Sequence, residues 1–571
     1  MKIRITLAIL LFLFSLQTFS QAPDWLWAKA MGGTGYDDGY SIATDASGNV
    51  YATGSFYGTV DFDPGVATFN LTSAGNNDIF ISKLNASGNF VWAKRMGGIS
   101  NDYGSSIAID PAGSVHVYTT GTFNGTVDFD PGAGTFNLTG GGIFISKLDG
   151  SGNFVWAKAI SGISHSIALD SAGSGDVYTT GAFAGTTDFD PGAGVFNLTS
   201  LGSIDIFISK LDSSGNFIWA KAMGGTAIDE GFSIAFAPTG NGDVYTTGRF
   251  LGTADFDPGA GTFNLTSAGY EDIFISKLDS SGNFVWAGAI GSATGNDEGM
   301  SIALDPAGSG DVYTTGWFSG TADFDPGAGI FNLTSTPGSD IFISKLDSSG
   351  NFVWAVAMGG GNSGYGLSIA IDNSGNVYAT GSFLGTVDFD PGAGVFNLTS
   401  GFWEDIFISK LDSSSNFVWA KAMGGAYPDV GRSMVIGASG NVHVAGMFQS
   451  PSVSFGSTTL TNADNSGNTG DIFIAKLDTL LITGNNAIEN FSNGILLFPN
   501  PANNHLTISL KNIHKTIEVT ISDVTGKIIF TITATETQKI EVSTKDFAVG
   551  IYVVQIQAAD FIEMKKLIVV K

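Results

Sequence analysis

Six times in this 571-residue chain the sequence Asp-Phe-Asp-Pro-Gly sets two carboxylates two positions apart. The pairs are Asp61 with Asp63, Asp128 with Asp130, Asp188 with Asp190, Asp255 with Asp257, Asp323 with Asp325, and Asp388 with Asp390; a seventh copy of the surrounding pattern has Ser454-Phe455-Gly456 instead. Carboxylates so spaced in a glycine-containing loop offer the hard oxygens that calcium takes in the early positions of an EF-hand loop. Calcium needs about 6–8 oxygens, and the motif lacks a third acidic position and a bidentate Glu. The alternative is structural. One Asp ends a strand, and the other opens a Pro-Gly turn through side-chain–backbone hydrogen bonds. Asp212 and Asp279, in Leu-Asp-Ser-Ser-Gly-Asn turns, carry the same two readings. Calcium is the one cofactor these residues point to.

Paired carboxylates also hydrolyse glycosides, but only when two groups with unlike pKa values stand at a set separation. Here the pairs are near-identical, and a single site among repeats needs residues that break the symmetry. The clearest departures are losses: the third copy lacks the Asp-Gly lead-in near Ser164, and the seventh lacks the acidic hairpin. The five histidines (His116, His165, His443, His505, His514) have no metal-ligand spacing and do not recur. Nucleophile-elbow, phosphate-loop and zinc-helix motifs are absent. The expectation is therefore a non-enzyme, with a glycosidase or lyase as the alternative. Two tryptophans outside the repeated positions, Trp317 and Trp403, are candidates for stacking on a glycan; core packing is the competing reading for Trp317. Recurring Asn-Leu-Thr triplets match a glycosylation acceptor but read here as strand residues.

The elements that carry these residues repeat. A strand containing Trp-Ala recurs at Trp27, Trp92, Trp156, Trp219, Trp286, Trp354 and Trp419. Ile-Phe-Ile-Ser/Ala-Lys-Leu starts at Ile79, Ile143, Ile206, Ile273, Ile341, Ile406 and Ile472. A Ser-led strand starts at Ser41, Ser106, Ser166, Ser233, Ser301, Ser368 and Ser433. Each unit reads as four strands; in one they are 301–304, 311–318, 340–346 and 351–358, with an extra hairpin between the second and third. The strands are apolar on both faces, so each sheet needs cover on both sides, which radially packed blades provide. A fourth-strand copy, Trp25–Met31, precedes the first unit, and the last unit lacks its own. The fold expected is all-β: a closed seven-bladed β-propeller whose N-terminal strand completes the last blade, followed by a small Ig-like β-sandwich.

Charge and composition narrow the partners. The net charge is −27, while the stretch from Phe498 onward holds 8 basic and 7 acidic residues, so the acidity lies in the repeats. No basic face exists for a phosphate backbone, which argues against nucleic acid. With no cysteine, disulfides, thiolate metal sites and Cys nucleophiles drop out. Lys2 and Arg4 followed by an apolar run to Phe19 read as a signal peptide over residues 1–20, and no later stretch is long enough to cross a membrane. The repeats then span 21–480, a linker 481–495 and a terminal module 496–571.

The repeats resemble the SBBP-type β-propeller repeats of secreted bacterial proteins, a family that implies a ring fold and an extracellular setting but no single activity. The terminal module resembles the C-terminal sorting domain of the type IX secretion system of Bacteroidetes-like bacteria. That likeness rests on Phe498-Pro499-Asn500-Pro501, Gly526-Lys527, Gly550 and Tyr552, and on the basic ending. It implies recognition by the type IX machinery and a mature protein that is secreted or held at the outer-membrane surface. The functional expectation is a binding or adhesion module for glycan, matrix or protein; the alternative is a passive, self-associating surface scaffold.

Overall fold

The computed structural model describes residues 23–110, 115–170, 174–237, 242–464, 466–478, 495–498, 502–514, 516–523, 527–558 and 562–569. The signal-peptide segment, nearly all of the expected linker, and Pro499, Asn500, Pro501 and Gly526 lie outside the described residues. The chain divides into two compact units, Met1–Thr479 and Leu480–Lys571. Every element among the described residues is a strand.

In the first unit, four antiparallel strands recur seven times. One copy runs Glu298–Leu304, Val312–Phe318, Asp340–Leu346 and Phe352–Met358, in that spatial order. The first strand starts at Glu298, three residues before the Ser that marks it in the sequence. The expected extra hairpin is formed by Thr321–Asp323 and Asn332–Thr334. In the last copy the fourth strand comes from the chain's N-terminus: Trp25–Gly33 pairs with Asp471–Leu477, Met31 opposite Ile472. Three sheets extend to six strands because the end of a fourth strand also pairs with the next hairpin, as at Gly224↔Asp255. Among the described residues no sheet closes on itself.

Second and third strands are buried along almost their whole length because neighbouring sheets cover both faces. Each core cluster draws on two consecutive sheets; one joins Tyr245, Ile273 and Ile275 to Val312, Phe318 and Phe342. The first strands pack in succession, and Asp38–Thr44 packs against both Tyr103–Ile109 and Asp429–Ile436. The repeated serine explains itself here. Ser41 Oγ accepts the amide of Ile107 in the next copy (3.2 Å), and Ser106, Ser166, Ser233, Ser301 and Ser368 do likewise. Ser433 of the last copy accepts Ile42 N of the first (3.3 Å). The repeated tryptophan works at the other strand end. Trp92, Trp156, Trp219 and Trp286 donate Nε1–H, each at 3.2 Å, to a turn carbonyl of the following copy.

The second unit holds two sheets over one core. Ile495–Phe498, His505–His514 and Thr537–Ser543 form the first; Ile528–Ala534, Ile517–Asp523, Gly550–Gln557 and Ile562–Val569 form the second. Leu506, Ile508 and Ile540 meet Val519, Ile521 and Val554 between them.

Candidate functional site

The acidic hairpins are built alike. Asp61 Oδ1 accepts the amides of Asp63 (3.0 Å) and Phe69 (2.8 Å), and Asp63 Oδ1 accepts the amide of Gly65 (2.8 Å). The first carboxylate makes the same two bonds at Asp128, Asp188, Asp255, Asp323 and Asp388. The second makes the same single bond, to the glycine two residues on, at Asp130, Asp190, Asp257, Asp325 and Asp390. The Phe between each pair is fully buried and anchors the hairpin to the core.

This arrangement supplies the turn bonds that the structural reading of these twelve residues expects. In every hairpin both Oδ1 atoms accept backbone amides, and only two carboxylates are present. Asp61 and Asp63 gain no third acidic partner, nor do Asp128 and Asp130, Asp188 and Asp190, Asp255 and Asp257, Asp323 and Asp325, or Asp388 and Asp390: among the described residues no three metal-capable side chains converge. The pairs stand on separate hairpins, one to a copy, so they do not pool their oxygens either. The physical reason is local. An Asp followed two residues later by an unpaired amide satisfies that amide itself, and the Pro-Gly turn places the amide within reach. These carboxylates organise turns.

Trp317 sits at the end of a second strand, half-buried and edge-on to Tyr365 of the next copy (5.8 Å between ring centroids). Trp403 lies in a connection, 46% exposed, beside Phe402. In the second unit, Tyr552 Oη donates to Ala548 O (2.8 Å), and exposed Lys527 donates its amide to Asp523 Oδ1 (3.1 Å). Phe498 pairs with Thr507, and Gly550 with Val569.

The site that sequence reasoning missed is a cavity of about 480 Å³ between the first strands. Each first strand contributes the residue just before its repeated serine: Tyr40, Ser105, His165, Phe232, Met300, Leu367 and Arg432. In all seven copies this residue is the extra one of a β-bulge, because the pairing register skips it between the preceding residue and the serine. A bulge re-aims a side chain without disturbing the ladder around it. The units are otherwise near copies, yet no residue type occurs twice at this position. Aligning the copies on the serine and reading one residue back would have exposed it.

Two charged clusters border the cavity. Arg432 pairs with Asp38 of the first copy (2.9 Å), and its guanidinium lies 5.6 Å from the Tyr40 ring. Burial raises the Asp38 carboxyl, and Arg432 only partly offsets that. Arg249 is held by Glu230 (3.0 Å), Glu271 (3.1 Å) and Glu298 (2.9 Å), with its guanidinium 5.5 Å from the Phe232 ring. His165 packs against Phe232 (5.3 Å); burial lowers its pKa, so the imidazole is neutral, and its Nε2 is buried without a partner.

A second set of carboxylates frames this end of the strands. Asp102 accepts the amides of Gly98 (2.8 Å) and Asn124 (2.9 Å); Asp37, Asp229, Asp297 and Asp429 do equivalent work. Close to them lie the aspartates that open the third strands. Burial pushes Asp37, Asp272, Asp429 and Asp471 up to about 7, and Asp102, Asp229, Asp297 and Asp405 up to about 6, with neighbouring carboxylates adding to most of these shifts. In six of the seven copies the glycine at the end of the fourth strand is required here: a Cβ on Gly97 or Gly291 would collide with the carboxylate of Asp78 or Asp272.

Two family models match parts of the chain. Residues 26–55 match the beta-propeller repeat family SBBP, and residues 496–570 match the secretion system C-terminal sorting domain family. An uncharacterized WD repeat-containing protein of Acanthamoeba polyphaga mimivirus is 23% identical over 482 residues, which cover 69% of this chain and 34% of that protein. The regulatory protein FlaEY of Caulobacter vibrioides is 27% identical over 112 residues, 20% of this chain and 12% of that one. The chain therefore spans about a third or less of these curated relatives. Among solved structures, Sqt1 from Chaetomium thermophilum shares 10% identity, covering 74% of this chain and 97% of its own, at a TM-score of 0.32. The protein carries β-propeller repeats and a sorting domain for the type IX secretion machinery, which exports it from the cell.

Proposed function

We propose that the exported repeats form a closed seven-bladed propeller that acts as a binding module for an extracellular glycan, matrix component or protein. The ligand site is the cavity among the bulge residues. One observation carries this reading: seven near-identical units supply seven different side chains to one cavity, each from a bulge that frees it from the frame. A purely structural pore has no use for that variety, whereas a site that recognises an asymmetric ligand does. The cavity's size and its mainly apolar and aromatic lining, with a few polar groups, are those of small-ligand and anchor-residue pockets. Ring closure is supported by the serine–amide bonds that run from copy to copy and from the last to the first, and by the Arg432–Asp38 pair.

Binding rather than catalysis is the reading we favour, because both guanidiniums are already paired with carboxylates. Trp403, exposed in its connection, remains the rival platform. The test is binding of the full chain to glycan and matrix-protein arrays, with and without calcium, followed by Phe232→Ala and Trp403→Ala. The cavity reading expects Phe232→Ala to weaken the detected ligand about tenfold or more and Trp403→Ala to leave it unchanged. The reverse pattern moves the site to the loop. Silence on every array, in both conditions, removes the binding role.

A further inference from the structure

The second and third copies meet differently from all other neighbours. Elsewhere the hairpin ends in a strand of three or, in the last copy, four residues, and a separate connection leads to the third strand. In the second copy the two merge into one strand, Asn137–Asp149, which pairs along its full length with His116–Asp128. On its other edge only Ile143–Leu148 is paired, by Phe154–Ile160. The stretch Asn137–Gly142 thus presents an unpaired strand edge. It carries no charge and no proline, the devices that usually blunt such edges. Its last three residues, Gly140, Gly141 and Gly142, have φ of 127°, 136° and 128°, an extended form that only glycine holds without strain.

The connection into the third copy is also short, Ser161-Gly162, and, like the one into the sixth copy, it lacks the buried aspartate that ties down the other five. The two shortenings open a groove of about 600 Å³ floored by Gly140–Gly142 and walled by Asn101, Asn124 and Gly162. Tyr103, Thr122 and Ile163 line both this groove and the cavity, so the two adjoin. Around the cavity, four carboxyl groups (Asp38, Glu230, Glu271, Glu298) stand against two guanidiniums (Arg249, Arg432), so acidic groups outnumber basic ones.

Resting on the binding-module reading, we infer that the occupant is an extended polypeptide segment of neutral or basic charge. Its backbone adds as a strand to the Asn137–Gly142 edge, and an apolar or aromatic side chain at one end enters the cavity. A glycan would gain little from an edge of bare main-chain donors and acceptors, whereas an incoming strand pairs with them directly. The glycine run keeps side chains out of the path of that strand.

The full chain is titrated with labelled synthetic peptides of about twelve residues, alternating Thr and Val with one terminal Phe or Leu, in neutral, basic and acidic series. The inference expects saturable binding of the neutral and basic series and at least about tenfold weaker binding of the acidic one. Ile163→Glu, at an exposed position where groove meets cavity, should weaken the peptide about tenfold without changing the melting temperature. N-methylation of every second peptide residue separates strand addition from simple pocket binding, since only alternate amides face the neighbouring strand. One phase of methylation should abolish binding and the opposite phase should be tolerated. Equal tolerance of both phases, or no binding by any series, overturns the inference. If no peptide binds but an oligosaccharide does and Phe232→Ala releases it, the binding module stands and the polypeptide inference falls; if neither ligand class binds, both fall.

Discussion

The two ends of the repeated strands are built from the same units but follow different rules. At one end lie the turns joining first to second and third to fourth strands. There Asp45 accepts the amides of Ser47 and Asn49, and Asp212, Asp279, Asp347 and Asp372 repeat the bonding nearly atom for atom. At the other end the connections from second to third strand and from copy to copy meet, as where Asp102 N donates to Asn77 O (2.8 Å). These connections vary in length and composition, and the bulge residues beside them vary completely. Yet most of the frame there repeats: a buried aspartate in five of the seven copies, a glycine making room in six, and a serine accepting its neighbour's amide in all seven. Variation is confined to side chains that the bulge has released from bonding. A repeat protein can therefore alter its binding surface at little cost in stability, because frame and surface use different residues.

The sharpest way to break that comparison is to truncate one residue of each kind. Trp419 lies on a fourth strand near the turn end and is 2% exposed in the core of the last two sheets. Trp419→Ala should cost about 3–5 kcal/mol in denaturant unfolding. Phe232→Ala, half-exposed on a bulge, should cost less than about 1 kcal/mol. Equal losses would mean that the bulge residue belongs to the frame.

The frame of the variable end carries its own signature. Its aspartates are raised from ordinary carboxylate values to about 6–7 chiefly by burial. A carboxyl whose folded pKa exceeds its unfolded value binds its proton more tightly when folded. Its contribution is fully present below about pH 4 and is lost as pH rises toward 7. The melting temperature of the repeats should therefore fall between pH 5 and pH 8. Asp272→Asn keeps an acceptor for Ala268 N and removes the charge beside Asp297. It should stabilise by about 2 kcal/mol at pH 8 and by little at pH 5. A flat profile for the parent chain would show that these groups stay ionised, with a counter-charge the carboxylates themselves do not supply.

Much of this was legible in the residues. Turn chemistry at Asp-Ser-Ser-Gly-Asn and at Asp-Phe-Asp-Pro-Gly is local, so the hairpins could be placed from sequence. The orphan strand Trp25–Met31 announced its pairing with the last copy. The bulge was not legible, because it depends on which residue of Gly-Tyr40-Ser41 is skipped when two strands align, and period-two patterning cannot show a skipped residue. The open edge at Gly140–Gly142 was hidden for a related reason: a glycine run reads as a loop until its partner strand is known. The buried carboxylates escaped because Asp at a strand start looks like a solvated turn residue until neighbouring sheets cover it.

The smallest expected effect tests the regular end. Every third-to-fourth-strand turn but one has glycine in its fourth position, as at Gly215 (φ 80°) and Gly282 (φ 76°). The exception is Ser415, held at φ 64°, where a side chain costs about 1 kcal/mol. The preceding copy differs from its neighbours as well. Trp354 Nε1 is buried without a hydrogen-bond partner, while Trp286 Nε1, one copy earlier, donates to the turn carbonyl of Ser348. Ser415→Gly removes the strain and lets the turn settle as its neighbours do, bringing the Ser413 carbonyl within reach of Trp354. The gain should be about 0.5–1.5 kcal/mol in unfolding free energy, since glycine returns part of the benefit through its looser unfolded chain. A Trp354→Phe background separates the two contributions. If the hydrogen bond accounts for part of the gain, Ser415→Gly should stabilise that background less. If it stabilises both equally, backbone strain alone accounts for the difference between this turn and the others.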